Sequence, residues 1–588
     1  MIAPASSSAV EAVHPLPAWK IWANPICRRY VRARLRAKHL TIWLILTLVP
    51  ASFLFFIIRT MAVYRADMPL ADAERAPLVP LLVLQSVILF VLGTGQVAGG
   101  MTGEADEGVL DYQRLTPMTP LAKVLGYLFG LPVREYVMFL ATLPYTIWAL
   151  WSGQVPLTTW LPLYVVFLSS AVLYHLTGLV AGTVVKNRRW AFLLSIGIVF
   201  LLYTVIPQVS RFGLVFFKYF TLSPVFQESF ANLMPETAGR ALRAARAMTQ
   251  GGVPLATEVR FFGLHFSEWV FTLFTQGALI LTFIVMLWRR WRRAESHLLG
   301  KIWAVGLFAW TQILLLGNAL PLIEPGLLFP SREIGRRLRV SVGADWKPQI
   351  EEAVGMIGLY GLVTLCLIAV LTMIITATED EQLRGVRRMR KLGWAHLPRF
   401  SDAAGSFWFV AVMAVIGALG WTLFARGLVE SSWFAGIKFP AYGGWTFALV
   451  LLGSGLGFQA MLEARGGKWP FLFGIFVGIV PAMVGAVLAA AQNPFLKASV
   501  WLAGVSPFAA PFFAAQTLIP VTIPLDVGKT IPQAFWFWQT VNGFVVAGLI
   551  LQLWRVRKQR AQSVIEQGEA KEQGGRKKEE IKDVTQKC

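Results

Sequence analysis

The chain has 588 residues, 56% of them hydrophobic and only 15% charged, with a mean hydropathy of +0.58. Soluble domains carry about a quarter charged residues, so this composition excludes a water-soluble fold and a disordered chain alike and reads as an integral membrane protein. The net charge of +22 would point to nucleic acid in a soluble chain, but here the basic residues lie in short runs between apolar stretches, the pattern of cytoplasmic loops.

Residues 1–39 read as a basic cytoplasmic or interfacial segment. Arg28, Arg29, Arg32, Arg34, Arg36 and Lys38 lead directly into a full-length apolar stretch, with no short apolar core and cleavage site, so no removable signal peptide is expected. A spanning helix needs about 20 mainly apolar residues. About twelve are expected, at 40–59, 81–100, 130–151, 160–185, 190–209 and 268–288, then 302–323, 352–376, 406–426, 442–463, 470–491 and 534–554. If each crosses once, the basic segments 186–189, 289–293, 384–399, 465–468 and 555–560 share one side with the N-terminus, which the positive-inside rule makes the cytoplasm, with both termini there. Arg332, Arg336, Arg337 and Arg339 break that pattern and are assigned to an amphipathic surface helix. Residues 556–588, rich in Lys, Glu and Gln, read as a charged, disordered cytoplasmic tail.

Three features recur in the same order. Glu104 and Glu379 open acidic clusters 275 residues apart, Trp190 and Trp469 follow basic hairpins 279 apart, and Pro224 and Pro507 stand in Ser-Pro pairs 283 apart. The chain therefore reads as all-α and polytopic, two parallel pseudo-repeats of six helices over 40–292 and 293–555.

Catalytic patterns are sparse. Cys27, Cys366 and Cys588 form neither a disulfide framework nor a metal pattern, and the six histidines show no HxxxH or HExxH spacing, so no catalytic, cofactor or metal site is assigned. Gly528-Lys529-Thr530 resembles the end of a phosphate-binding loop, but residue 523, where that motif needs glycine, is isoleucine, and the segment falls in an expected external loop. His175 inside a span reads as a packing residue, with a pathway role as the alternative. Arg134 and Glu135 read as a pair near the membrane boundary, Gly453, Gly455 and Gly457 as packing positions, and Trp148, Trp151, Trp190, Trp288 and Trp291 as interfacial anchors.

After the second span come Glu104-Ala105-Asp106-Glu107-Gly108-Val109-Leu110-Asp111 and then Leu115-Thr116-Pro117. Acids suit a helix N-terminus and the Thr-Pro forces a break, so 101–117 reads as a short interfacial helix between two spans. This run resembles the first cytoplasmic loop of type-2 ABC exporter permeases, whose pattern is E-x-E-x-G-T-L-E followed by L-T-P. Glu104 matches the first acid, Asp106 stands for the second, Gly108 and Leu110 match directly, and Asp111 replaces the last Glu, while Val109 departs from the usual Thr. Asn24-Pro25 and the basic residues after it are similar to the opening of such permeases.

The resemblance implies an ABC-2 permease-like fold and a coupling helix at 101–117 that docks on an ABC ATPase subunit, with Glu104, Asp106, Glu107, Gly108, Leu110, Asp111, Thr116 and Pro117 as its contact and shape-giving residues. It implies short re-entrant helices within 223–262 and 496–525. Arg28, Arg29, Arg32, Arg34 and Arg36 would rest on anionic headgroups of the lipid bilayer. The function implied is the transmembrane subunit of an exporter in the bacterial inner (plasma) membrane, not itself an enzyme, with ATP bound by the partner and further membrane subunits as possible associates. The second half keeps the layout but not the motif, since Glu379, Asp380 and Glu381 are followed by no Thr-Pro. Two other readings stand beside this one: a self-contained secondary transporter and a non-transporting scaffold.

Overall fold

In a bilayer every backbone N–H and C=O must be satisfied within the protein, so long apolar runs become helices. A computed structural model describes residues 19–587 except 186, 237, 239, 241–257, 294, 333–345, 466–467, 492–495 and 521–524, with the backbone alone at 465, 468, 525–527 and 565–587. Eleven helices are long and apolar enough to cross a membrane, and a twelfth span results if the bent pair Pro120–Gly130 and Val133–Ser152 is counted as one. The 51° bend falls at Leu131-Pro132, where proline removes a donor and crowds the preceding turn. This is an α-helical, multi-pass membrane protein. One element departs from the all-α expectation, a two-stranded ribbon of Glu258–Phe261 and Leu264–Ser267.

The chain divides into two compact units. The first comprises Met1–Pro207, Lys218–Glu258 and Ser267–Glu295, and the second Gln208–Phe217, Val259–Phe266 and Ser296–Cys588.

Within the first unit, helices Leu70–Asp106 and Leu157–Val184 approach closely through small residues. A Cβ at Gly182 would lie 2.7 Å from the Ala98 carbonyl and one at Gly178 would lie 2.9 Å from that of Thr94, the packing that replaces hydrophobic drive between membrane helices. A buried polar cluster links three helices: Gln85 donates to Thr142 and Thr146 at 3.0 Å each and accepts from Tyr164 at 2.8 Å. His175 is fully buried between the Tyr136 hydroxyl and the Leu89 carbonyl, each 2.9 Å away, the geometry of a packing histidine. Arg134 pairs with buried Glu135 at 2.5 Å and lies 4.1 Å over the Trp43 ring.

In the second unit, Trp421 is fully buried, stacked on Phe447 with centroids 4.2 Å apart and donating to the Ile357 carbonyl at 3.0 Å. Gly455 and Gly457 sit where added Cβ atoms would meet Val410 at 3.2 Å and Val546 at 2.9 Å, as packing positions should.

Several expectations need correction. Trp291 is 7% exposed and stacks on Tyr127, so it is a core ring and not an interfacial anchor. Gly528-Lys529-Thr530 lies in the helix Leu525–Lys587, not in a loop. The backbone of the charged tail beyond 556 continues that helix. The surface helix expected around Arg336, Arg337 and Arg339 lies outside the described residues. Within 223–262 and 496–525 the chain forms Ser223–Leu233, Leu496–Gly504 and Ala510–Leu518. A helix of nine residues extends about 14 Å, less than half the hydrocarbon thickness.

Candidate functional site

The amphipathic helix Pro25–Arg34 begins where Asn24 accepts from the Ile26 amide at 3.0 Å and Pro25 occupies the first helical position. The Asn24 amide also donates to the Ala122 carbonyl at 2.6 Å, tying this helix to Pro120–Gly130. Gly126 and Gly130 leave room for the contact, since Cβ atoms there would lie 2.7 Å from Asn24 and 2.9 Å from Tyr30. Ile26, Cys27 and Tyr30 form the buried face.

Glu104, in the last turn before the acidic loop, is the hub. It accepts from Arg29 at 2.5 Å and from Tyr30 at 2.7 Å, and its second oxygen lies 3.2 Å from the Tyr127 hydroxyl. Burial pulls the Arg29 guanidinium down, but the Glu104 carboxylate beside it outweighs this and holds it above its usual range. Burial first, and Glu104 next, push the Tyr30 phenol up.

Beyond this hub the chain turns through Gly108, whose φ of +71° suits glycine, into the short helix Val109–Arg114. Leu110 and Gln113 face inward, and Asp111 pairs with Arg114. Thr116 donates to the Gln113 carbonyl at 2.6 Å, while Lys123 donates to the carbonyls of Arg114 and Thr116 at 3.4 and 3.3 Å, closing the C-terminal end. Asp106, Glu107, Asp111 and Pro117 are exposed, together with Tyr112 at 72% and Leu115 at 85%. A 180 Å³ recess bounded by Leu110, Asp111, Arg114, Thr183 and Trp291 lies alongside.

The structure thus separates the residues that the sequence groups. Glu104, Gly108, Leu110 and Thr116 build the loop, whereas Asp106, Glu107, Asp111 and Pro117 present its outer face. Among the basic residues, Arg29 is bound to Glu104 and Arg34 donates to Gln96 at 2.7 Å, while Arg28, Arg32 and Arg36 are exposed. Asn24, Tyr30, Gln113 and Tyr127, which brace the loop, carry no motif of their own. Tyr127 is 14 and 23 residues from its partners, a separation that local pattern does not reveal.

The second acidic cluster is built differently. Glu379, Asp380 and Glu381 open the helix Glu379–Lys391, with Thr378 and Glu381 forming a capping box. Glu381 lies 3.0 Å from His297 Nε2 and accepts from the Thr378 amide at 2.8 Å. Burial opposes ionisation of Glu381, but these hydrogen bonds prevail and bring its pKa down to about 2. Gln382 donates to buried Glu463 at 2.8 Å, and Arg560 approaches Glu379 at 3.4 Å. Among the described residues no group of three His, Cys, Asp or Glu side chains is placed to hold a metal ion. Comparison with known protein families, with characterised proteins and with solved structures finds no match to this chain.

Proposed function

We propose that this chain is the transmembrane permease subunit of an ABC-2-type exporter, driven by a separate ABC ATPase that binds and hydrolyses ATP. The observation that supports this most is the division of labour in the loop after the Leu70–Asp106 helix: a short helix braced from behind by Tyr127 and Lys123, with acidic and apolar side chains projecting outward. A lever that transmits motion needs both a stiff attachment and a free contact face, and Asp106, Glu107, Tyr112 and Leu115 supply the second. ATPase closure would push on this face and tilt the helices on either side of it, alternating access across the membrane. The membrane would be the bacterial inner membrane, with both termini cytoplasmic. Export as the direction follows from the motif resemblance.

The test is co-purification of an ATPase subunit, and its ATP turnover in lipid, with wild type and with D106K/E107K. Loss of both in the variant, with an unchanged melting temperature, is the expected result; equal recovery and turnover would reject the docking role. Absence of any ATPase with the wild type would favour a secondary transporter, for which Glu135, buried in a span with Oε2 lacking a hydrogen-bond partner among the described residues, is the carboxylate to examine.

A further inference from the structure

In the second unit, the loop 401–405 is fixed from beneath by a buried lysine. Lys301 donates to the carbonyls of Ser401, Ala404 and Gly405 at 2.7, 2.6 and 3.4 Å. Gly405 in turn lets an arginine lie against the loop, because a Cβ there would come 2.6 Å from the Arg557 guanidinium. Between this loop, the helix Glu379–Lys391 and the helix Leu525–Lys587 opens a cavity of 660 Å³, within the size range of ligand sites.

Its charges do not balance. Arg399, Arg557 and Arg560 line it against a single carboxylate, Glu463, which Arg557 grips in a two-point fork at 2.6 and 2.7 Å. Arg560 is engaged by Gln382 at 2.8 Å and pairs with Glu379 at 3.4 Å, so the surplus cation is Arg399. Arg399 is exposed and, among the described residues, makes no hydrogen bond or ion pair. On the same wall are two large apolar rings left open, Phe400 at 65% and Trp408 at 68% exposure. A small hydrated anion would use the guanidiniums and leave the rings bare, whereas an amphiphile with an anionic head would use both.

We propose that this cavity binds an anionic glycerophospholipid, its phosphate against Arg399 and Arg557 and its acyl chain along Phe400 and Trp408. The surplus positive charge selects the headgroup, and the fixed loop supplies a preformed seat. The assignment does not rest on the ATPase reading.

The full-length protein in detergent is titrated with phosphatidylglycerol, with phosphatidylcholine of the same chains, and with glycerol 3-phosphate, following bound lipid by native mass spectrometry and the melting temperature. Phosphatidylglycerol should bind and stabilise where the other two do not. R399Q should weaken its binding about fivefold, W408A and F400A should each weaken it too, and R388Q, an exposed arginine outside the cavity, should leave it unchanged. Melting in lipid-free detergent checks that each variant is folded. Equal binding of phosphatidylcholine, or an R388Q loss as large as that of R399Q, would overturn the site. Glycerol 3-phosphate binding that depends on Arg399, with phosphatidylglycerol binding indifferent to both ring substitutions, would overturn the lipid assignment.

Discussion

The hydroxyl of Tyr127 donates to Gln113 Oε1 at 2.6 Å, a bond that fastens the short helix Val109–Arg114 to the helix Pro120–Gly130. The same hydroxyl lies 3.2 Å from Glu104, so one phenol joins both ends of the acidic loop. Y127F keeps the ring stacked on Trp291 and removes only this tie. A net loss of about 1 kcal/mol is expected. It should appear as faster amide exchange over 109–114, with far smaller changes in the spanning helices. Unchanged exchange in that window would show that the tie is not what orders the loop.

Charge reversal should separate the loop's two groups of residues. D106K/E107K alters exposed side chains, and surface changes of this kind stay within about 0.5 kcal/mol. E104K instead places a cation among Arg29, Tyr30 and Tyr127 and removes the acceptor that Arg29 and Tyr30 share, with an expected cost of about 2 kcal/mol or more. Thermal melts in lipid of the two variants provide the check. Equal melting temperatures would contradict the division between bracing and presenting residues.

Glu381 sets a pH dependence in the second unit. Its folded pKa of about 2 lies below the ordinary carboxylate value of 4.5, so the folded state binds the proton less readily than the unfolded chain does. The stability this contributes is full above about pH 4.5 and is lost as pH falls toward 2. Hydrogen exchange of the helix Glu379–Lys391, measured between pH 6 and pH 3 with correction for intrinsic rates, should show protection falling in wild type. The fall should be clearly shallower in E381Q. Identical profiles would assign the acid sensitivity elsewhere.

The spans were legible because their signal is a sum over about 20 residues, which no single side chain can undo. What could not be read depends on partners far away in sequence. Trp291 stands among the arginines ending its span, the place of an interfacial anchor, yet Tyr127 and Leu287 belong to the same buried cluster and draw it inside. Glu104 reads as one acid among several until Arg29 and Tyr30, 75 and 74 residues earlier, are brought against it. The acidic opening of 379–381 resembles 104–107 in composition, but a capping box ties its last acid to its own helix. Composition therefore located both acidic clusters, and only packing distinguished an outward face from an internal cap.

Gly93 and His175 give the most local test of packing. Gly93 ends the π-helical stretch Val87–Gly93, and a Cβ on it would come 2.4 Å from His175 Nε2. The ring is fully buried and held at both nitrogens. Nε2 faces the Leu89 carbonyl and must carry the proton, which leaves Nδ1 to accept from Tyr136. G93A should therefore force the imidazole off at least one partner, for an expected loss of about 1–3 kcal/mol. H175A opens space and abandons the Tyr136 hydroxyl, a loss of about 1–3 kcal/mol on its own. In G93A/H175A the new methyl group occupies volume that the imidazole has left, so the combined loss should fall short of the sum by about 1 kcal/mol or more. Unfolding midpoints of the four proteins in one detergent close this cycle. Strict additivity would mean that the two residues do not share the space that the backbone of Gly93 and the ring of His175 now divide.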